Sequence, residues 1–214
     1  FLADEQGFIA AGRATPLHVI RVRGEASADD IEAAARAVAR RSEADAIAAA
    51  GRLDEALEIL QNEVLSVFER LEDSRETAIT QGRIADILLA TGQLDEAMAL
   101  QEARLPVVTA LGDQEGLAHI RYSMANIRIA RGEHESGNLQ QIYEELTEAF
   151  QISCQQGHAD AIGGIGLLLV QVLAMGGLRD EAVETLDTTE DAFTTLRDLD
   201  GLAQVKQLRQ MLEA

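Results

Sequence analysis

A hexapeptide that returns at a near-constant interval constrains this chain more than any other feature. Gly51-Arg52-Leu53-Asp54-Glu55-Ala56 recurs as Gly92-Gln93-Leu94-Asp95-Glu96-Ala97, 41 residues on, and as Gly177-Leu178-Arg179-Asp180-Glu181-Ala182, a further 85 on. The second interval is about twice the first, so a degenerate copy is expected between them, and Gly132-Glu133-His134-Glu135-Ser136-Gly137 lies there. Gly137 then stands where the others carry Ala, which makes smallness the requirement at that position. A second marker keeps the same period: Asp73, Asp113 and Asp198 precede Ala78, Ala118 and Ala203 by five positions, with His158 and Gly163 as a weaker fourth pair. The small members follow one another at 40, 45 and 40 residues, so one repeat carries five extra. The simplest place for them is Gln140 to Gln156, whose Ile142, Leu146, Ala149 and Phe150 have helical spacing and predict a longer second helix.

Each unit reads as helix, tight turn, helix. In the second unit Ile79, Ile84, Ile87 and Leu88 form one apolar face, Gly92 ends the helix in left-handed backbone, and Asp95 and Glu96 favour the next N-terminus. Leu100, Leu105, Val108 and Leu111 continue an apolar face in the second helix. Ala85 and Ala97 fall where two antiparallel helices must approach closely. One such pair cannot bury its apolar face alone, whereas stacked pairs share a continuous core.

The Gly-x-Leu-Asp-Glu-Ala turn, with a small residue twelve positions before its Ala (Ala44, Ala85, Ala125 and, less ideally, Val170), resembles the tetratricopeptide-repeat (TPR) family. The closest form is the longer repeat of kinesin light chains and bacterial signalling proteins. The resemblance implies an all-α, right-handed superhelical solenoid of about four antiparallel helix pairs, nine or ten helices in all, over residues 31–214. Gly201 to Ala214 forms a terminal solvating helix, and the first helix of each pair lines the concave surface. Residues 1–30 stand outside the repeat. Pro16 to Arg23 reads as a short strand without a partner, belonging either to an upstream domain or to an extended segment on the first helices. Ser27 and Asp30 then resemble a capping box.

Charge and composition narrow the function. There are 37 acidic against 18 basic residues, a formal charge of −19, which disfavours nucleic acid and anionic membrane surfaces. A lone cysteine, Cys154, forms no internal disulfide, and the absence of a signal peptide favours a cytoplasmic setting. The chain starts at Phe1, so a piece of a longer protein, probable bacterial origin aside, is expected.

Catalytic patterns do not assemble. A Walker loop needs a lysine after its glycines, and the only lysine is Lys206, in a helical pattern. Gly163-Gly164-Ile165-Gly166 lacks a preceding strand and reads as helix packing. Ala161 to Leu178 is near the lower limit of a membrane span, but its five glycines and its register assign it to a buried helix. His18, His119, His134 and His158 lack the paired spacing of zinc ligands, so no metal or cofactor is expected. Cys154 has no adjacent His and reads as a small core residue rather than a nucleophile. No Gly-x-Ser-x-Gly elbow occurs, and the chain is read as a non-enzyme.

The remaining candidate is the concave surface that the resemblance implies. Positions used for peptide contact in the family fall on Arg41 and Asp45, Gly82 and Asp86, Tyr122 and Asn126, and Leu167 and Gln171, each pair sharing a helix face. In related repeats an Asn at the position of Asn126 bonds the backbone of an extended ligand, which suits an amide carrying both donor and acceptor. The alternative is that Asn126 bonds a neighbouring helix and that Arg41 pairs with Asp45. The expected function is a protein-interaction module holding a peptide or partner domain, more readily neutral or basic than acidic, since Asp45 and Asp86 lie in the groove. A regulatory, sensor or self-associating domain controlling an upstream NTPase-like domain is the second reading.

Overall fold

The computed structural model describes residues 8–10, 19–21, 27–135 and 137–213. A short antiparallel pair, β1 (Phe8–Ala10) and β2 (Val19–Arg21), precedes the helices, with Ile9 opposite Ile20. The strand read over Pro16 to Arg23 therefore has a partner. Three residues, Phe8 to Ala10, were too short a run to stand out as a strand; the rest of Pro16 to Arg23 lies outside the described residues.

From Ser27 on, the described residues are helical. The elements are α1 (Ala28–Ala49), α2 (Leu53–Ile59), a π-helical turn (Leu60–Leu65), α3 (Ser66–Arg70), α4 (Ser74–Ala90), α5 (Leu94–Leu111), α6 (Gln114–Ala130), α7 (Leu139–Gln156), α8 (Ala159–Met175), α9 (Arg179–Leu196) and α10 (Leu199–Glu213). Because α2, the π turn and α3 run on as one rod, these are four helix pairs and a terminal helix. They divide into two compact units, 1–107 and 108–214, the boundary falling one residue after Pro106 inside α5.

The repeated residues do their work at the turns. Gly51, Gly92, Gly132 and Gly177 all have positive φ (72° to 82°), and the residue after each donates its N–H to the carbonyl five positions back, as Gln93 does to Leu88. The Asp markers are N-caps. Asp73, Asp113 and Asp198 accept the N–H of Glu76, Gly116 and Gly201, each at 3.0 Å, whereas His158 caps nothing with its side chain. Ser27 caps α1 in the same way, accepting the N–H of Asp30 at 3.1 Å. Ala44, Ala85, Ala125 and Val170 are fully buried, as are Ala56, Ala97 and Ala182.

The third unit corrects the reading of its turn. Helix α7 has 18 residues, as do α5 and α9, so it is not lengthened. The five extra residues lie between Gly132 and Leu139, seven positions where Gly92 and Leu94 are two apart. Gly137, with φ of 106°, stands immediately before Asn138 and Leu139, and the buried position equivalent to Ala97 is occupied by Ile142. Smallness is therefore not what that position requires here. Glu133 holds the longer turn: its carboxylate accepts from Arg128 and from Asn138, both at 3.0 Å.

The π turn has a sequence counterpart. Gly51 to Asp73 spans 22 positions, against 21 for Gly92 to Asp113 and for Gly177 to Asp198. One residue too many in a helix that must still bury Leu60, Val64 and Phe68 is absorbed by a turn with wider hydrogen-bond spacing.

Helix α5 departs from its expected apolar face. Ala97, Met98, Gln101, Arg104 and Val108 are its buried residues, while Leu100 and Leu105 are only partly covered and Leu111 is 47% exposed. The guanidinium of Arg104 lies over Gly82, where a Cβ would come within 2.6 Å of it, and Arg104 Nη1 donates to the Gln101 amide oxygen. The missing side chain at Gly82 is what lets a long polar residue fill that space.

Candidate functional site

In the first unit the predicted contact residues divide. Arg41 is buried and not available as a groove residue: its Nη1 donates to Glu76 Oε2 at 2.6 Å and reaches Thr80 Oγ1 at 3.4 Å, and its guanidinium lies 5.5 Å from the centre of the Phe68 ring. Its partner is thus Glu76 on α4 rather than Asp45. The cause is geometric, since Ala44 and Arg41 share the buried stripe of α1 and only a charge on the facing helix can accompany the guanidinium there. Asp45 is exposed and makes a 3.5 Å ion pair with Arg83. Asp86 is partly buried, and Gly82 is covered by Arg104. Glu76, Gln101 and Arg104 had no signal in the sequence beyond their charge or amide, because a polar residue on an apolar stripe is ordinarily read as its edge.

In the second unit the two predicted pairs have a common geometry. Tyr122 and Leu167 are half-buried against the core of Ile142, Leu146, Leu169 and Leu186. One turn on, Asn126 Nδ2 donates to the Tyr122 carbonyl at 2.9 Å, and Gln171 Nε2 donates to the Leu167 carbonyl at 3.1 Å. Asn126 therefore bonds its own helix rather than a neighbouring one. Each amide is oriented by one N–H, and its second N–H and its oxygen are the groups a ligand would use.

Charge is segregated between first and second helices. On α4, α6 and α8 there are four basic residues (Arg75, Arg83, Arg121, Arg128) and four acidic ones (Glu76, Asp86, Glu115, Asp160). On α5, α7 and α9 twelve acidic residues face two basic ones. The −19 charge is thus carried mainly by the second helix of each pair, and the first helices are balanced.

The remaining chemical candidates resolve as packing. Gly163 and Gly166 lie inside α8, where a Cβ would meet Phe193 at 2.7 Å and Thr189 at 2.0 Å. Among the described residues no helix is long and apolar enough to cross a membrane. Cys154 is exposed on α7, not a core residue, because the buried stripe of that helix passes through Ile152 and Ser153; partial burial pushes its thiol up from the ordinary value, away from a poised thiolate. Glu145, buried beside Arg128 at 3.2 Å, has its carboxyl pushed up by burial against the opposing pull of that guanidinium. Glu133 is held below the ordinary value by the Asn138 amide and by Arg128.

No protein-family model and no curated protein matches the chain. Solved structures share its fold. A Podosopora anserina protein with nearly identical TPR-like repeats of the kinesin-light-chain kind superposes with a TM-score of 0.59 at 17% identity, over 85% of this chain and 96% of that one. A variant of it gives 0.58 at 18% identity, over 83% and 94%. A Rap protein complexed with competence and sporulation factor gives 0.67 at 14% identity, over 87% of this chain and 55% of that one. The architecture is therefore the all-α, TPR-like repeat of helix pairs.

Proposed function

We propose that this chain is a non-catalytic protein-interaction module whose helical repeats, residues 31–214, hold an extended peptide segment of a partner, with residues 1–30 as an extension. The observation that carries the reading is the repeated arrangement in the second unit: an amide oriented by its own helix, one turn after a half-buried Tyr122 or Leu167, in two successive first helices. A side-chain amide matches both the donor and the acceptor of a peptide backbone and is indifferent to sequence. The Rap protein complexed with a factor gives a precedent on the same fold. Asp45 and Asp86 in the first unit, together with the acidic second helices, favour a neutral or basic segment over an acidic one.

The test is a titration of partner-derived peptides of opposite charge at two salt concentrations, with the Asn126→Ala variant alongside. We expect the neutral or basic peptide to bind more tightly, and Asn126→Ala to weaken it. Tighter binding of the acidic peptide, or unchanged binding after the substitution, moves the interaction away from these helices.

A further inference from the structure

Helices α6, α8 and α10 are the first helices of successive pairs in the second unit, and their equivalent positions continue the row that contains Tyr122 and Asn126. Along α8 this row reads Gly164, Leu167, Gln171 and Met175; along α10, at intervals of 40 residues, it reads Gln204, Gln207 and Met211. None of these is charged, in a chain of which 26% of residues are. The row ends in a depression of about 580 Å³ between α8 and α10, lined by Gln171, Ala174, Met175, Met211 and Leu212, with Arg179 at the start of α9 as its one charged neighbour. Met175 is 61% and Met211 52% exposed, whereas the other two methionines, Met98 and Met124, are buried.

We propose that this depression is the anchor site of the bound segment, and that it takes one uncharged apolar side chain, of the size of Leu or Met, from a peptide otherwise lying along the uncharged row. The inference rests on the peptide-binding reading above and adds the chemistry of the segment. The volume admits an aliphatic side chain and part of its backbone. Flexible thioethers on two facing helices mould to such a group. A lysine or arginine entering there would leave water beside Arg179 with no carboxylate among the lining residues. An aspartate or glutamate would leave water into the field of α9, whose six acidic residues follow Arg179. An uncharged side chain bears neither cost.

The experiment uses the full chain with 13C-labelled methionine methyls and three nonapeptides of Ala, Ser and Asn that differ only in a central Leu, Lys or Glu. The expected result is that the Leu peptide shifts the Met175 and Met211 methyl resonances and leaves Met98 and Met124 in place, while the Lys and Glu peptides shift neither pair. Met211→Gln should weaken the Leu peptide about five-fold, the loss of one to two buried methylenes, and Asn126→Ala should weaken it without abolishing the Met175 shift. Equal shifts from all three peptides overturn the proposal. Binding that responds to Asn126→Ala while the methionine methyls stay unmoved also overturns it but leaves the groove reading standing. Shifts that follow protein concentration without peptide assign the depression to a second copy of the chain, and binding of none of the three removes both readings.

Discussion

The two units place the same helix pairs together with different materials. In the first, long polar side chains occupy the space between helices: Arg41 with Glu76 and Thr80 beside Phe68, and Arg104 with Gln101 over Gly82. In the second, an aromatic ring does so. Phe193 on α9 lies against Gly163 of α8 and Gly201 of α10, where an added Cβ would come within 2.7 and 2.3 Å of the ring, and Thr189 fills the notch at Gly166. Each solution removes a side chain from a first helix so that a larger group can rest on its backbone. They differ in what enforces the arrangement, since a buried ion pair is costly to separate and so fixes its partners, while a ring among glycines is held by shape alone.

The largest effect should come from breaking the polar layer. Glu76→Ala, which leaves the Arg41 guanidinium buried without its carboxylate, should cost about 3–5 kcal/mol in urea unfolding. The double variant Arg41→Met/Glu76→Leu should recover most of that loss, because no charge is then left uncompensated. Equal midpoints for the single and double variants would show that the pair contributes nothing beyond its volume.

Next in size is the shape of the second unit. Gly166→Ala drives a methyl into Thr189 and should cost about 1–3 kcal/mol by overpacking. Gly164, two residues away in the same helix, has nothing within 4 Å of an added Cβ, so Gly164→Ala should stabilise by about 0.5–1 kcal/mol through backbone entropy. Thermal midpoints moving in the same direction for both variants would contradict the packing described for α8 and α9.

The smallest effect is in pH dependence, and its sign separates two carboxyls that share Arg128. Burial raises the Glu145 carboxyl above its ordinary 4.5, so its contribution is fully present below that value and is lost as pH rises through the raised one. Wild type should therefore lose stability relative to Glu145→Gln between about pH 4.5 and neutrality. Glu133 is lowered from the same ordinary 4.5, so its contribution is present above that value and disappears as pH falls through the lowered one. Relative to Glu133→Gln, wild type should lose its advantage only on the acid side. Parallel stability–pH curves for the two variants would remove the distinction.

How much of this was legible beforehand can be judged residue by residue. The turn glycines, the Asp caps and the small residues Ala44, Ala85, Ala125 and Val170 follow from local rules: positive φ, a side-chain oxygen ahead of a helix, and space where helices approach. Even the π turn was latent in the 22-residue interval from Gly51 to Asp73. The position of the five-residue insertion was not, because Gly132 and Gly137 both offer left-handed backbone and the count alone does not say which one opens α7.

For the candidate site the division is sharper. Spacing put Tyr122 with Asn126, and Leu167 with Gln171, on common faces, and periodicity alone suffices for that within one helix. Whether Arg41 faces a ligand or Glu76 depends on a residue 35 positions away, and the depression at Met175 and Met211 needs two helices at a given separation. The sequence by itself thus determined the repeat, the caps and the turns, whose causes act over a few bonds. Only the tertiary structure decided which polar groups are buried together and which apolar ones are left open, because those outcomes depend on distances between helices that no local rule encodes.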